Sequence, residues 1–235
     1  MKTTIEPKGL EVKVGRTELT AKHRDGRLTF IHPCYGPDAF CSVRDQISQD
    51  GLVMPTASET ASLVYAASQN PDERYSKEIL SILRDRWLWG NTGVLWTPKK
   101  EVYIQNDPKV GNGGILMDKK DLEKKLSNKD QNVRFVEYGF KLGEQTSSEL
   151  GRNPFILALV GEEGAEKLAK VAERYRLNPY VYGLDKSNQD ETRVSALSSG
   201  YDGGGLGVFG SCLGNGRDGW AFGVRKSSEA SARKN

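Results

Sequence analysis

Three observations predict an α+β chain. Two hairpin signals, Asp25-Gly26 and Pro98-Lys99-Lys100, each separate short runs in which apolar and polar residues alternate. Helix-starting patterns fall between the strand candidates at irregular intervals, without the regular strand–helix alternation that builds a parallel sheet. The stretch from Val194 to Arg225 holds ten of the 26 glycines yet opens and closes on strand-like runs.

The elements follow in order. Leu10-Glu11-Val12-Lys13-Val14 alternates, and Leu28-Thr29-Phe30-Ile31 does so more loosely, so the first 50 residues read as a β-meander. His32-Pro33 and Gly36-Pro37 are expected to break it into a loop. Thr56 and Glu59 have capping-box spacing, which starts a helix running to about Ser68. Asn70-Pro71-Asp72-Glu73 starts a second, carrying Tyr75, Ile79, Ile82, Leu83 and Arg86 at helical spacing. A hairpin over Gly93–Thr97 and Glu101–Gln105 comes next, then a charged helix from Asp118 to Leu126 and a strand from Val133 to Phe140. Thr146-Ser147-Ser148-Glu149 opens a short helix. Glu162–Tyr175 is amphipathic, with Leu168, Val171, Ala172 and Tyr175 inward. Pro179–Gly183 is a brief strand, and Arg193–Leu197 and Trp220–Arg225 are the strands that bound the glycine-rich end.

At 235 residues the chain fits one large domain or two small ones, and 37% hydrophobic with 28% charged residues argues against general disorder. A net charge of +3 is too mild to call for nucleic acid, and lysines such as Lys119, Lys120, Lys124 and Lys125 alternate with acids on a solvated helix face. Three cysteines, Cys34, Cys41 and Cys212, are not a disulfide framework, and a reduced pair is expected for the first two. His23 and His32 give no zinc spacing, so neither metal nor cofactor is expected. No secretory signal or membrane span is read, so synthesis in the cytoplasm is expected, with display on a surface or virion left open. Residues 226–235 read as a disordered tail.

Several local patterns have plain structural explanations. Gly205–Gly210 and Gly214–Gly219 both match G-x-G-x-x-G, but no helix pattern follows either, so neither is a dinucleotide cradle. Cys212 has no base near it in sequence. Glu162, Glu163 and Glu166 sit where carboxylates favour a helix start. Trp87, Trp89 and Trp96 fit a core beside a hairpin better than a ligand groove. Inside the glycine-rich stretch, Leu206 and Val208 fall on one strand face, while Gly207, Phe209 and Ser211 fall on the other. The first pair is expected inward and the second set outward. From Val194 to Gly219 there is no Lys, Glu, Gln, Met or Trp.

Gly51-Leu52-Val53-Met54-Pro55-Thr56-Ala57-Ser58-Glu59, running into Tyr65-Ala66-Ala67, resembles the helix start of the formylglycine-generating-enzyme type of C-type lectin fold. Leu206-Gly207-Val208 and Ala221-Phe222-Gly223-Val224-Arg225 resemble its closing strands. The chain is most similar to the variable proteins of diversity-generating retroelements, archaeal ones among them. The likeness spans roughly Gly51 to Arg225; Met54 replaces the usual basic residue, and Trp87 to Tyr182 reads as an insertion. The resemblance implies one C-type-lectin-like domain over residues 1–225: a β-rich part (1–50), a scaffold with the insertion (51–193) and a variable ligand-binding region (194–225).

In that family template adenines are mutated, so AAY codons become NNY, which cannot encode Lys, Glu, Gln, Met or Trp. The resemblance thus implies variable positions at Tyr201, Asp202, Gly204, Gly207, Phe209, Ser211, Cys212, Asn215, Arg217 and Asp218, on a scaffold of Leu206, Val208, Phe222 and Val224. Trp220 cannot come from NNY and joins the surface as a fixed residue. The expected activity is non-enzymatic binding of a macromolecular ligand, a protein or cell-surface molecule, with Tyr201, Phe209, Arg217 and Trp220 clustered at one exposed site. The alternative implied by the same fold is an oxidoreductase acting on cysteine, which needs a reactive cysteine pair where only Cys212 is present.

Overall fold

A computed structural model describes residues 11–13, 17–111, 113–200 and 204–225; the predicted tail and the ends of the first predicted strand, Leu10 and Val14, lie outside them. The element order is β1 (Glu11–Lys13), β2 (Glu18–His23), β3 (Gly26–Asp38), α1 (Phe40–Gln49), α2 (Ala57–Gln69), α3 (Arg74–Asp85), β4 (Trp87–Trp96), β5 (Glu101–Asn106), β6 (Lys109–Gly111), β7 (Gly114–Leu116), α4 (Lys119–Ser127), β8 (Val133–Glu137), β9 (Gly143–Glu144), α5 (Ser147–Arg152), α6 (Pro154–Ala172), β10 (Tyr180–Tyr182), β11 (Glu191–Ser198), β12 (Gly207–Cys212) and β13 (Gly219–Arg225).

The predicted helix starts form for the predicted reasons. The Thr56 hydroxyl accepts from Glu59 N–H, and the Glu59 carboxylate accepts from Thr56 N–H at 2.7 Å. Thr146 and Glu149 repeat the arrangement at α5. Such caps are worth about 1 kcal/mol each. α2 is buried on nearly every side, and its small residues let α6, α3 and the sheet approach closely. α6 starts earlier than the sequence suggests. Gly161, at φ 76°, breaks it in two, and the predicted amphipathic half follows the break.

Two expectations for the first 50 residues need correcting. The stretch from His32 to Pro37 is not a loop: β3 runs straight through it, with both X-Pro bonds cis. The register shows why proline is tolerated. β2 pairs only as far as Ile31, so both prolines lie on the part of β3 whose β2 side needs no donor. The β-rich part also ends in a helix, α1, which buries Phe40, Val43 and Ile47.

Among the described residues, one sheet of eleven strands organises the fold: nine run in the order β1-β2-β3-β13-β4-β11-β12-β10-β9, and β5 and β8 branch from β4. It is largely antiparallel, with parallel pairs at β13–β4 and β10–β12. β4 is the pivot. β11 pairs along one edge, while the other edge is shared: β13 takes Trp87–Leu88, and β5 takes Thr92–Trp96 and leads on to β8. The stretch from Trp87 to Tyr182, read as an insertion, therefore supplies the central strand.

The sheet buries both faces. One packs on α2, α3 and α6 through Leu88, Val94, Trp96, Leu197, Leu206, Val208, Phe222 and Val224. The other packs under α1 through Trp89, Val194, Ala196, Phe209 and Ala221. α4 covers the β5–β8 branch over Leu95, Tyr103 and Val133. Among the described residues no helix is long and apolar enough to cross a membrane.

Candidate functional site

The glycine-rich end divides into framework and surface. Leu206 and Val208 are fully buried against the helices, as expected, and Phe222 and Val224 lie on the same side. The segment is far less irregular than its glycine content suggests. β12 and β13 are both interior strands, and glycine serves where other side chains need the room. At Gly219 a Cβ would sit 1.8 Å from the Trp89 indole nitrogen, which donates to Asp38 O at 3.2 Å. The connection between them, residues 213–218, crosses the α1 side of the sheet. It is tied near its start by Phe40 N–H donating to Gly214 O at 2.9 Å. Leu213 is 65% exposed, and Asn215, Gly216, Arg217 and Asp218 are exposed.

Two expectations for the aromatic anchors fail. Phe209 points away from Leu206 and Val208, but that face is covered, and Phe209 is only 4% exposed. Its ring lies flat on Tyr182, with centroids 4.0 Å apart and planes 3° apart, and Trp87 meets it edge-on at 4.5 Å. Trp220 does not join it. Strand alternation turns Ala221 to the α1 side and Trp220 to the helical side, where it packs half-buried on the main core. The predicted cluster of Tyr201, Phe209, Arg217 and Trp220 is therefore split by the sheet, and Tyr201 and Asp202 lie outside the described residues. Of the remaining predicted positions, Gly204 is half-buried, Gly207 buried, and Ser211 and Cys212 half-buried at the end of β12.

The strand register explains the aromatic packing. Tyr182 on β10, Phe209 on β12, Ala196 on β11 and Trp89 on β4 form one row across the sheet. Ala196 is small enough for Phe209 and Trp87 to meet above it. Trp87 then stacks on Trp89 at 6.4 Å, and Trp89 meets Phe40 edge-on at 6.3 Å. At the other end Tyr180 continues the series, 4.3 Å from Tyr182. A second row runs Glu144, Tyr180, Gly207 and Ser198. Gly207 leaves a gap in it, and the Phe209 ring leans over that gap, 2.6 Å from where a Cβ would stand.

Beside this gap lies a cleft of about 360 Å³, lined by Glu144, Leu177, Asn178, Tyr180, Tyr182, Gly205 and Gly207. Of these, the sequence reading anticipated only Gly207. The legible signal was Tyr180-Val181-Tyr182, whose period of two puts both tyrosines on one face.

Burial pushes the Cys212 thiol up to about 12, and the Cys41 thiol is raised as well, again mainly by burial. Both remain protonated at neutral pH, which makes them poor nucleophiles. All three cysteines are free. Among the described residues no group of His, Cys, Asp and Glu is arranged to hold a metal ion.

A solved Nanoarchaeota structure, described as accommodating massive sequence variation by the C-type lectin fold, has the same architecture. It matches with a TM-score of 0.58 over 82% of this chain and 97% of its own, at 16% identity. This chain has a C-type lectin fold. No family model and no curated protein matches the sequence. The mixed sheet with flanking helices, and the glycine-rich segment closing it, are accordingly features of a lectin-like scaffold.

Proposed function

We propose that this chain is a ligand-binding protein whose C-terminal segment is diversified by a retroelement and displayed on the lectin-like scaffold. One observation carries the reading: the glycine-rich end keeps its stabilising side chains apart from its exposed ones. Leu206, Val208, Phe222 and Val224 are buried, while Asn215, Arg217 and Asp218 stand out on a crossing loop tethered at Gly214. Exposed positions of this kind typically shift stability by no more than about 0.5 kcal/mol when substituted. The solved Nanoarchaeota protein lends support, since its fold is the one said to accommodate massive variation. The absence of Lys, Glu, Gln, Met and Trp from Val194 to Gly219 agrees with NNY codons.

Within this reading, the cheapest positions to vary are Ser211, Asn215, Arg217 and Asp218. Variation at Gly207 or Phe209 must be compensated, because the two share one space. The partner is a macromolecule, a protein or a cell-surface molecule. The oxidoreductase alternative draws no support from Cys212, whose thiol burial holds protonated.

The test has two parts. The DNA beside the gene should carry a near-repeat of the coding sequence for Val194–Arg225, differing at adenines, next to a reverse transcriptase gene. A library at Ser211, Asn215, Arg217 and Asp218, restricted to NNY-encodable residues, should stay folded and monodisperse while its members select different ligands. General unfolding or aggregation of that library would refute the reading.

A further inference from the structure

The cleft at the β9–β10 edge is built by residues outside the glycine-rich segment, together with its glycines. Tyr180 lies over Gly143, with its ring and hydroxyl 3.7 Å from where a Cβ of that glycine would stand. Tyr182 backs the cleft, fixed by its stack on Phe209. At Gly207 the Phe209 ring takes the place of a side chain, and Gly205 packs on the Asn178 backbone, whose oxygen is 2.5 Å from where a Cβ would stand. The Asn178 side-chain amide donates to Glu144 Oε1 at 2.9 Å and so orients that carboxylate, and Glu144 is exposed. Among the described residues, Glu144 is the one charged group lining the cleft.

These features suit one chemistry. Tyrosine faces carry negative π density and attract a cation placed over them. A carboxylate at the rim, held by Asn178, adds charge complementarity. A guanidinium is planar, permanently charged, stacks on aromatic faces and bonds a carboxylate in a fork, whereas an ammonium offers only a compact point charge. The volume is at the lower end for small-molecule pockets, which run from about 300 to 1,000 Å³, so it suits a single group.

We propose that this cleft receives an arginine side chain of a protein ligand, as a constant anchoring subsite beside the variable surface. This rests on the reading that the glycine-rich face is where ligand binds. Glu144, Asn178, Tyr180 and Tyr182 lie outside residues 194–225, so diversification leaves the anchor in place while the neighbouring loop chooses among partners that share it.

The experiment is calorimetric titration of the full chain with N-acetyl-arginine methylamide, alongside the citrulline counterpart as a neutral isostere. The arginine compound is expected to bind saturably and the citrulline compound about fivefold more weakly or worse, the size of one exposed ion pair. E144Q should weaken arginine binding by a similar factor and Y180A by at least as much, while K120A, on the exposed face of α4, leaves it unchanged. Both altered cleft residues are partly or fully exposed, and thermal melts check that the variants fold. Absence of saturable arginine binding, equal binding of citrulline, or indifference to E144Q overturns the proposal. Library members that select new ligands while arginine fails to bind would sink the anchor alone. A library that unfolds while arginine binds normally would sink the variable-surface reading alone.

Discussion

Phe209→Ala is expected to destabilise the fold strongly, although the residue sits in the segment with the most glycine. Phe209 is 4% exposed. Removing a buried phenylalanine ring forfeits about 1.5–3 kcal/mol of burial. It also breaks two aromatic contacts, to Tyr182 at 4.0 Å and Trp87 at 4.5 Å, each worth about 0.5–1.5 kcal/mol. Ala196 next to it is too small to fill the space, so a cavity remains under Trp87. The sum agrees with the roughly 3–5 kcal/mol typical of Phe→Ala in a core. Urea denaturation followed by circular dichroism should show a lower midpoint with an unchanged slope. Phe209→Leu should recover part of the loss by refilling volume without the stacking. If Phe209→Ala stays within about 0.5 kcal/mol of the parent, the ring is not part of the second core. The α1 face of β12 would then be a free surface after all.

Lys167 is 7% exposed, paired with Glu163 at 2.6 Å and donating to Ser62 Oγ and Lys22 O. Lys167→Ala should cost about 2–4 kcal/mol in the same denaturation assay, since it unties α6 from α2 and the β2 strand; an effect below about 0.5 kcal/mol would refute that role. His23, bonded to Ser62, has its pKa lowered below 6.5, chiefly by burial. In the unfolded chain it binds a proton more readily, so its contribution is fully present above pH 6.5 and is lost as pH falls through the folded-state value. A pH series of melts should show that slope, and His23→Gln should flatten it. Native Cys212, with its thiol at about 12, should react with a disulfide reagent far more slowly than after unfolding; a fast native reaction would revive the thiol-chemistry reading. Val208→Ala should cost about 1–4 kcal/mol by denaturant melt, and Arg217→Ala should stay within about 0.5 kcal/mol; equal costs would erase the division between framework and surface.

The sequence by itself determined the elements whose causes are local. The capping boxes at Thr56 and Thr146 each depend on two side chains three residues apart, so the starts of α2 and α5 were legible before any fold was known. The hairpin of β4 and β5 and the alternation that sends Leu206 and Val208 inward are local in the same sense. The resemblance to the lectin fold rested on short motifs at the two ends of the stretch from Gly51 to Arg225. How the elements between them assemble came clear only in three dimensions. Alternation says that Phe209 and Leu206 face opposite ways, but not that α1 and the Trp87–Tyr182 row cover the second face; those contacts come from residues more than twenty positions away. The prolines of β3 read as breakers until the register showed that β2 pairs with β3 only as far as Ile31, which leaves their missing N–H groups without consequence on that side. Trp220 and Phe209 looked like one anchor pair in sequence, and the strand pleat puts the sheet between them. The cleft at Glu144 and Tyr180 joins three separate strands and a loop, so only the pairing of β9, β10 and β12 decided that it exists. Side-chain direction along one strand is set by local backbone geometry. What lies opposite is set by strand order, and no window of sequence contains it.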